Sequence, residues 1–242
     1  MEVQKPSIAL VWGAGGIGAA LTSCLLEQQR FDRIICVSRQ TNADLPEGAD
    51  HAQADFLDEG SIKSVADKVR QLGGLDLAIV ATGVLHNGNV QPEKSMRALS
   101  AENIEYVHRV NCVGPALVAK HLIPVMPLKR RTVFAAISAR VGSISDNRLG
   151  GWHSYRASKA ALNMMLKGLS IEWARKNPES ICVGLHPGTV DSALSKPFQR
   201  GVPANKLFSP VQSATMLIDT LNGLSSSDTG QVFDFAGKLV PA

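Results

Sequence analysis

Short apolar runs alternate with longer amphipathic stretches along this chain, and no other feature constrains its fold as tightly. The runs are IALVW (8–12), RIICVS (33–38), LDLAIVA (75–81), TVFAAI (132–137), ICVGL (181–185) and QVFDF (231–235), with a weaker one before Asp55. They are too short for helices, rich in β-branched residues and apolar on both faces, which is the pattern of strands covered from both sides. Residues 17–29, 59–71, 98–126, 152–176 and 207–223 read as the helices between them. Strand and helix in repeated alternation predict an α/β fold, and right-handed crossovers make its parallel sheet doubly wound, with about seven strands and helices on both faces. No repeat, low-complexity tract or dividing linker interrupts 1–242, so one domain is expected; LSSSDTG (224–230) is a loop into the last strand.

Composition excludes several function classes. At 45% hydrophobic residues the chain can bury a sizeable core and is not a disordered segment. The net charge of +4 is mild, and the one basic run, Lys129-Arg130-Arg131, has no aromatic or basic extension, so no nucleic-acid partner is expected. Ile8 to Trp12 lacks the length and flanks of a signal peptide, and no apolar run approaches a membrane span of roughly 18 residues. Cys24, Cys36, Cys112 and Cys182 form no C-x-x-C pair and read as free thiols in a reducing compartment. A soluble cytoplasmic protein is the expectation. The six histidines are scattered and suggest no metal site.

After the first strand comes GAGGIG, in which Gly13, Gly15 and Gly18 fit G-x-G-x-x-G around Gly16 and Ile17. Without Cβ atoms the backbone turns tightly, and a pyrophosphate can approach a helix N-terminus. The pattern alone is weak in a chain with 21 glycines, but here a strand precedes it and a helix follows. A dinucleotide-binding Rossmann fold is therefore expected. The second strand ends in Ser38-Arg39, where an NAD site has an acid for the ribose 2′-hydroxyl. Ser38 removes that charge and Arg39 offers a forked donor to a 2′-phosphate, so NADP(H) is the preferred cofactor; the plain alternative is that Arg39 is a solvated loop cation.

Further motifs follow in order. Asp55 and Phe56 follow the third strand, Ala81-Thr82-Gly83 the fourth, and Asn111 lies in VNCVGP. Ser138 ends the fifth strand, Tyr155 and Lys159 form Y-x-x-x-K, and HPGTV (186–190) closes the sixth. Together these residues resemble the short-chain dehydrogenase/reductase superfamily over essentially the whole chain. SARVGSISDNRLGGWHSYRASKAALNM and HPGTVDSALSKPFQ are similar to C-factor-like and sniffer-like carbonyl reductases.

The resemblance implies a cofactor site at Gly13, Gly15, Gly16, Ile17, Gly18, Ser38, Arg39, Asp55, Phe56, Ala81, Thr82, Gly83, Tyr155, Lys159, Pro187, Gly188 and Thr189. It implies a catalytic set of Asn111, Ser138, Tyr155 and Lys159. Tyr155 is the general acid–base, Lys159 also holds the nicotinamide ribose, and Ser138 donates to the substrate oxygen. Asn111 kinks its helix and holds a water behind Lys159, and Thr189 meets the carboxamide. Two departures stand out. The glycine turn is one residue short, so Trp12 stands where a first glycine could align and is expected to narrow the adenine side. Ser138 lies 17 residues before Tyr155, further than the usual dozen or so, and Ser143 is a second candidate for its role.

The residues themselves support part of this. Lys159 follows Tyr155 by one helical turn on the same face, and an ammonium beside a phenol lowers a pKa of about 10 toward a useful range. In isolation the pair reads equally well as a surface contact, Asn111 as a solvated helix residue and Ser138 as a turn cap. Their ordered coincidence behind a phosphate turn favours catalysis. Tyr106 reads as packing, and Trp152 and Trp173 as core or interface. Between the sixth strand and the last helix, TVDSALSKPFQRGVPANK is broken by Pro197 and Pro203 and reads as a lid. Tyr155, Ser138, Leu194 and Phe198 are the substrate-side candidates. The expected reaction is reduction of a small carbonyl compound with a hydrophobic or aromatic body, or the reverse. The alternatives are a non-catalytic NADP(H) sensor and a pteridine reductase. The resemblance also implies a homodimer through the long fourth and fifth helices.

Overall fold

The computed structural model describes residues 6–40 and 45–242. In chain order the elements are β1 (Ile8–Trp12), α1 (Gly16–Gln28), β2 (Arg33–Ser38), β3 (Asp50–Gln53), α2 (Glu59–Gln71), β4 (Leu77–Val80), α3 (Ala101–His108), α4 (Gly114–Leu122), β5 (Thr132–Ile137), α5 (His153–Ala174), β6 (Ser180–His186), β7 (Thr189–Val190), β8 (Leu207–Phe208), α6 (Pro210–Gly223) and β9 (Val232–Asp234). Seven strands form one parallel sheet in the order β3-β2-β1-β4-β5-β6-β9. The strand order reverses between β1 and β4, and the crevice beyond the carboxyl ends of these strands is where such sheets bind ligands.

Strand alternation divides the core in two. Ile8, Leu10 and Trp12 point to one face, where α2, α4 and α5 pack through residues such as Ile62, Val118, Leu122 and Leu166. Ala9 and Val11 point to the other, against Leu21 and Leu25 of α1 and Leu217 and Leu221 of α6. Burying each large aliphatic chain contributes about 1.5–3 kcal/mol. The same alternation corrects the expectation for Trp12: its indole is sealed in the core at 1% exposure and lines no ligand cavity. The four cysteines are free and buried. No helix among the described residues is long and apolar enough to cross a membrane.

The helix expected over 98–126 is not continuous. α3 passes into a π turn at Arg109–Val113 before α4 resumes. Pro115 has no N–H to offer the Asn111 carbonyl four residues back, and its ring crowds that carbonyl, so a regular α-turn cannot form. The last long helix starts three residues later than expected, because Leu207–Phe208 pairs with Thr189–Val190. A capping box of Ser209 and Gln212, with Pro210 at the first helical position, then starts α6.

Candidate active site

A cavity of about 430 Å³ opens at the carboxyl ends of the strands. The end at the glycine turn is main chain. Gly13 turns with φ 120 and donates its N–H to Val37 O at 2.8 Å, tying the turn to β2. A Cβ on Gly18 would lie 1.9 Å from Gly13 O, whereas one on Gly15 would meet nothing within 4 Å. The third glycine therefore lets α1 pack onto the turn, and the second leaves the approach to α1 open. Gly15 is the N-cap of α1 and supplies no side-chain cap, so the first N–H groups of the helix have no side-chain partner there. Thr82 Oγ1 is buried beside this opening with no partner. Bare helix N–H groups, an open glycine and an orphan hydroxyl suit an anionic, hydroxyl-rich ligand, as a nicotinamide dinucleotide is.

Gly15, Gly16, Ile17, Ala81, Thr82, Gly83, Pro187, Gly188 and Thr189 all line this cavity. Gly188 needs its glycine: φ is 73, and a Cβ would stand 2.7 Å from the Phe208 ring. Ser38 and Arg39 lie outside the cavity wall, at the end of β2. The Ser38 hydroxyl donates to Gln40 O at 2.9 Å and lies 3.0 Å from His51 Nε2, while the Arg39 side chain is exposed. Asp55 caps Leu57 N–H at 2.9 Å. The Phe56 ring packs on Gly114, where a Cβ would be 2.1 Å from it, so that ring belongs to the core.

At the other end stand Tyr155, Lys159 and Ser138, all lining the cavity. Tyr155 is the third residue of α5 and 9% exposed; Lys159 is 2% exposed. Lys159 Nζ donates to Ile137 O at 2.8 Å and lies 5.8 Å from the Tyr155 ring centroid. Gly142 lets the turn after β5 pack on α5, since a Cβ there would be 2.8 Å from Lys159 Cβ. The structure brings Ser138 to the cavity and not Ser143. Ser143 is buried elsewhere, accepting from Asp146 N and donating to Ala242 O. Asn111 stands behind Lys159. Its amide accepts from Val84 N at 2.8 Å and donates to Val84 O and Ser158 Oγ at 2.8 and 3.0 Å, pinning the β4 exit loop to α5.

The electrostatics reverse one expectation. Burial pushes the Tyr155 phenol up to about 12 and the Lys159 ammonium down to about 8. The lysine's charge does not bring the phenol down here, because desolvation acts on both groups and the ammonium is directed at a carbonyl. His186, also lining the cavity, is pushed down to about 4 by burial, and its Nδ1 is a buried orphan.

Sequence reasoning missed several residues of the site. Asn163 accepts the Ser138 hydroxyl at 2.6 Å; its signal was the second four-residue step in Y-x-x-x-K-x-x-x-N. Trp152, read as core or interface, is a cavity wall in T-shaped contact with Phe198 at 5.0 Å and Tyr155 at 6.3 Å. His86 lies edge-on to Phe198 at 5.5 Å and holds Ala193 O and Leu194 O, each at 3.1 Å. Leu194 and Phe198 do line the cavity, from the loop between β7 and β8. Among the described residues no cluster of histidines, cysteines or carboxylates could hold a metal.

The strand order and the glycine turn define a doubly wound protein of the dinucleotide-binding kind. Residues 7–202 match the short chain dehydrogenase family, and the chain belongs to that family of oxidoreductases. C-signal of Myxococcus xanthus is 32% identical over 133 residues, which cover 54% of this chain and 74% of that protein. The carbonyl reductase Sniffer of D. melanogaster superposes with a TM-score of 0.84 at 20% identity, covering 99% of this chain and 100% of that one. The NADPH-bound carbonyl reductase from chicken fatty liver superposes at 0.83 with 23% identity, covering 100% and 96%. At these identities the structural likeness speaks for the fold.

Proposed function

We propose that this protein is an NADP(H)-dependent reductase of a small neutral carbonyl compound, or the matching alcohol dehydrogenase. The observation that carries the reading is one wall of one cavity. Tyr155, Ser138 and the buried ammonium of Lys159 meet there, opposite a glycine cradle suited to a dinucleotide. The nicotinamide would supply the hydride when bound. The chain's own residues hold the oxygen and supply the proton. Ser138, turned from Asn163, donates to the carbonyl oxygen, and Tyr155 gives that oxygen its proton as hydride reaches carbon. The charge left on the phenolate is met by the Lys159 ammonium one helical turn away, so the pairing acts on the ionised form. Asn111 keeps α5 and the β4 loop in register behind Lys159 through its three amide bonds. Among the described residues Lys159 is the one charged side chain in the wall and its ammonium is held by Ile137 O, while Leu85, Val141, Trp152, Leu194 and Phe198 line the rest, so the wall suits a neutral, apolar substrate body.

The test follows NADPH oxidation at 340 nm over aldehydes, diketones and quinones. Tyr155→Phe is expected to lose about 10²–10⁴-fold in kcat while still binding NADPH. Wild-type turnover in that variant rejects the catalytic assignment. NADPH binding by the wild type with no turnover across the panel favours a sensor.

A further inference from the structure

Gly150, Gly151 and Trp152 hold three successive left-handed backbone positions, at φ 63, 65 and 51. Glycine accepts this readily, but a large aromatic side chain is an outlier there and stays only where its surroundings hold it. The holder is Glu93. Its carbonyl accepts Trp152 N–H at 2.5 Å. Its carboxylate, in a residue 2% exposed, accepts Ser154 N–H at 3.1 Å, the Ser154 hydroxyl, and Asn103 Nδ2 at 3.2 Å. No cation pairs with it among the described residues.

Trp152 occupies the N-cap position of α5 and offers no side-chain cap. Glu93 does that work from the loop after β4, meeting the free N–H of Ser154 and the positive end of the helix. In this left-handed pose residue 152 lacks the extended backbone from which an N-cap side chain reaches the first N–H groups of the helix, so the cap must come from elsewhere. What the tryptophan adds is its indole in the cavity, edge-on to Tyr155 and to Phe198 of the β7–β8 loop. Leu85, Val141 and Leu194 complete an apolar wall around it.

We propose that Trp152 is a specificity-determining residue that selects carbonyl compounds with a flat apolar body, and that Glu93 is the positioning residue that holds its indole in place. The proposal rests on the reductase reading above. It is tested by kcat/KM for benzaldehyde and for butanal in wild type, Trp152→Asn, Trp152→Gly, Glu93→Gln and Glu93→Ala. Asn and Gly both accept the left-handed pose, so the backbone is retained. The benzaldehyde-to-butanal ratio is expected to fall about tenfold or more in both Trp152 variants, with NADPH affinity unchanged. Glu93→Ala is expected to lower the same ratio. Glu93→Gln recovers part of it, because its carbonyl still accepts Ser154 N–H. The ratio does not depend on how much enzyme is folded, so a purely structural role lowers both rates and leaves it unmoved. A wild-type ratio in Trp152→Asn overturns the role of Trp152, and a wild-type ratio in Glu93→Ala overturns that of Glu93; turnover itself would still stand. A wild type that binds NADPH and turns over no aldehyde, diketone or quinone removes the reductase reading, and this proposal with it; where only diketones or quinones turn over, the same ratio is read between an aromatic and an aliphatic diketone.

Discussion

At its glycine-turn end the cavity is walled by main chain: the turn itself, an uncapped helix start, and the segment Pro187–Thr189. At its Tyr155 end it is walled by side chains from places far apart in sequence, among them Leu85, Val141, Trp152, Leu194 and Phe198. The first end depends on what is missing, since a methyl group at Gly18 or Gly188 would collide with its neighbours. The second depends on large groups held at set angles, and an exchange there alters the shape of the pocket while the fold stands. Errors of packing are therefore expected to abolish function at one end and to redirect it at the other.

The sharpest break in this contrast comes from Gly18→Ala set beside Gly15→Ala. The first places a methyl 1.9 Å from Gly13 O and the second meets nothing within 4 Å. Gly18→Ala is expected to destabilise the protein by about 1–3 kcal/mol and to lose NADPH binding, read by thermal melting and NADPH fluorescence. Gly15→Ala is expected to melt as wild type. Equal behaviour of the two would show that the cradle is not built by close packing.

An effect on stability alone, of similar size, is expected from a buried histidine in the same cavity wall. His186 is neutral in the fold, with its pKa pushed from 6.5 to about 4. As pH falls below 6.5 the unfolded chain takes up this proton and the folded chain does not, so stability is lost between pH 6.5 and 4, by up to about 3 kcal/mol. Urea unfolding across that range is expected to show a shallower decline in His186→Gln. An unchanged slope would place the acid sensitivity elsewhere.

The smallest effect concerns the rim. Arg39→Ala is expected to lower kcat/KM for NADPH about tenfold and to leave NADH nearly unchanged, as loss of one charge-assisted contact predicts. An equal loss with both cofactors would assign Arg39 to general charge rather than to a 2′-phosphate.

How much could be read beforehand follows the same division. Ile8–Trp12, Arg33–Ser38 and Thr132–Ile137 begin and end where the apolar runs do, because a strand buried on both faces writes itself locally. Tyr155 and Lys159 were visible because four residues make one turn of any helix. The break at Asn111 had a local cause in Pro115, yet apolar periodicity carried the helix through it. Trp152 was misread because its place in the cavity depends on a left-handed backbone whose N–H is held by the main-chain carbonyl of Glu93, 59 residues earlier. The choice between Ser138 and Ser143 needed the turn after β5, which sends one hydroxyl toward the cavity and the other to the chain's last residue.

By itself the sequence determined the strand and helix order, the glycine turn and the helical pairing of Tyr155 with Lys159. Each is governed by near neighbours, through periodicity, missing Cβ atoms or helix pitch. Only the tertiary structure decided which serine faces the cavity, that Trp12 is core while Trp152 is wall, and that burial moves the Tyr155 phenol up and the Lys159 ammonium down. Those outcomes depend on desolvation and on contacts between residues remote along the chain. Such contacts exist only after the chain has closed on itself.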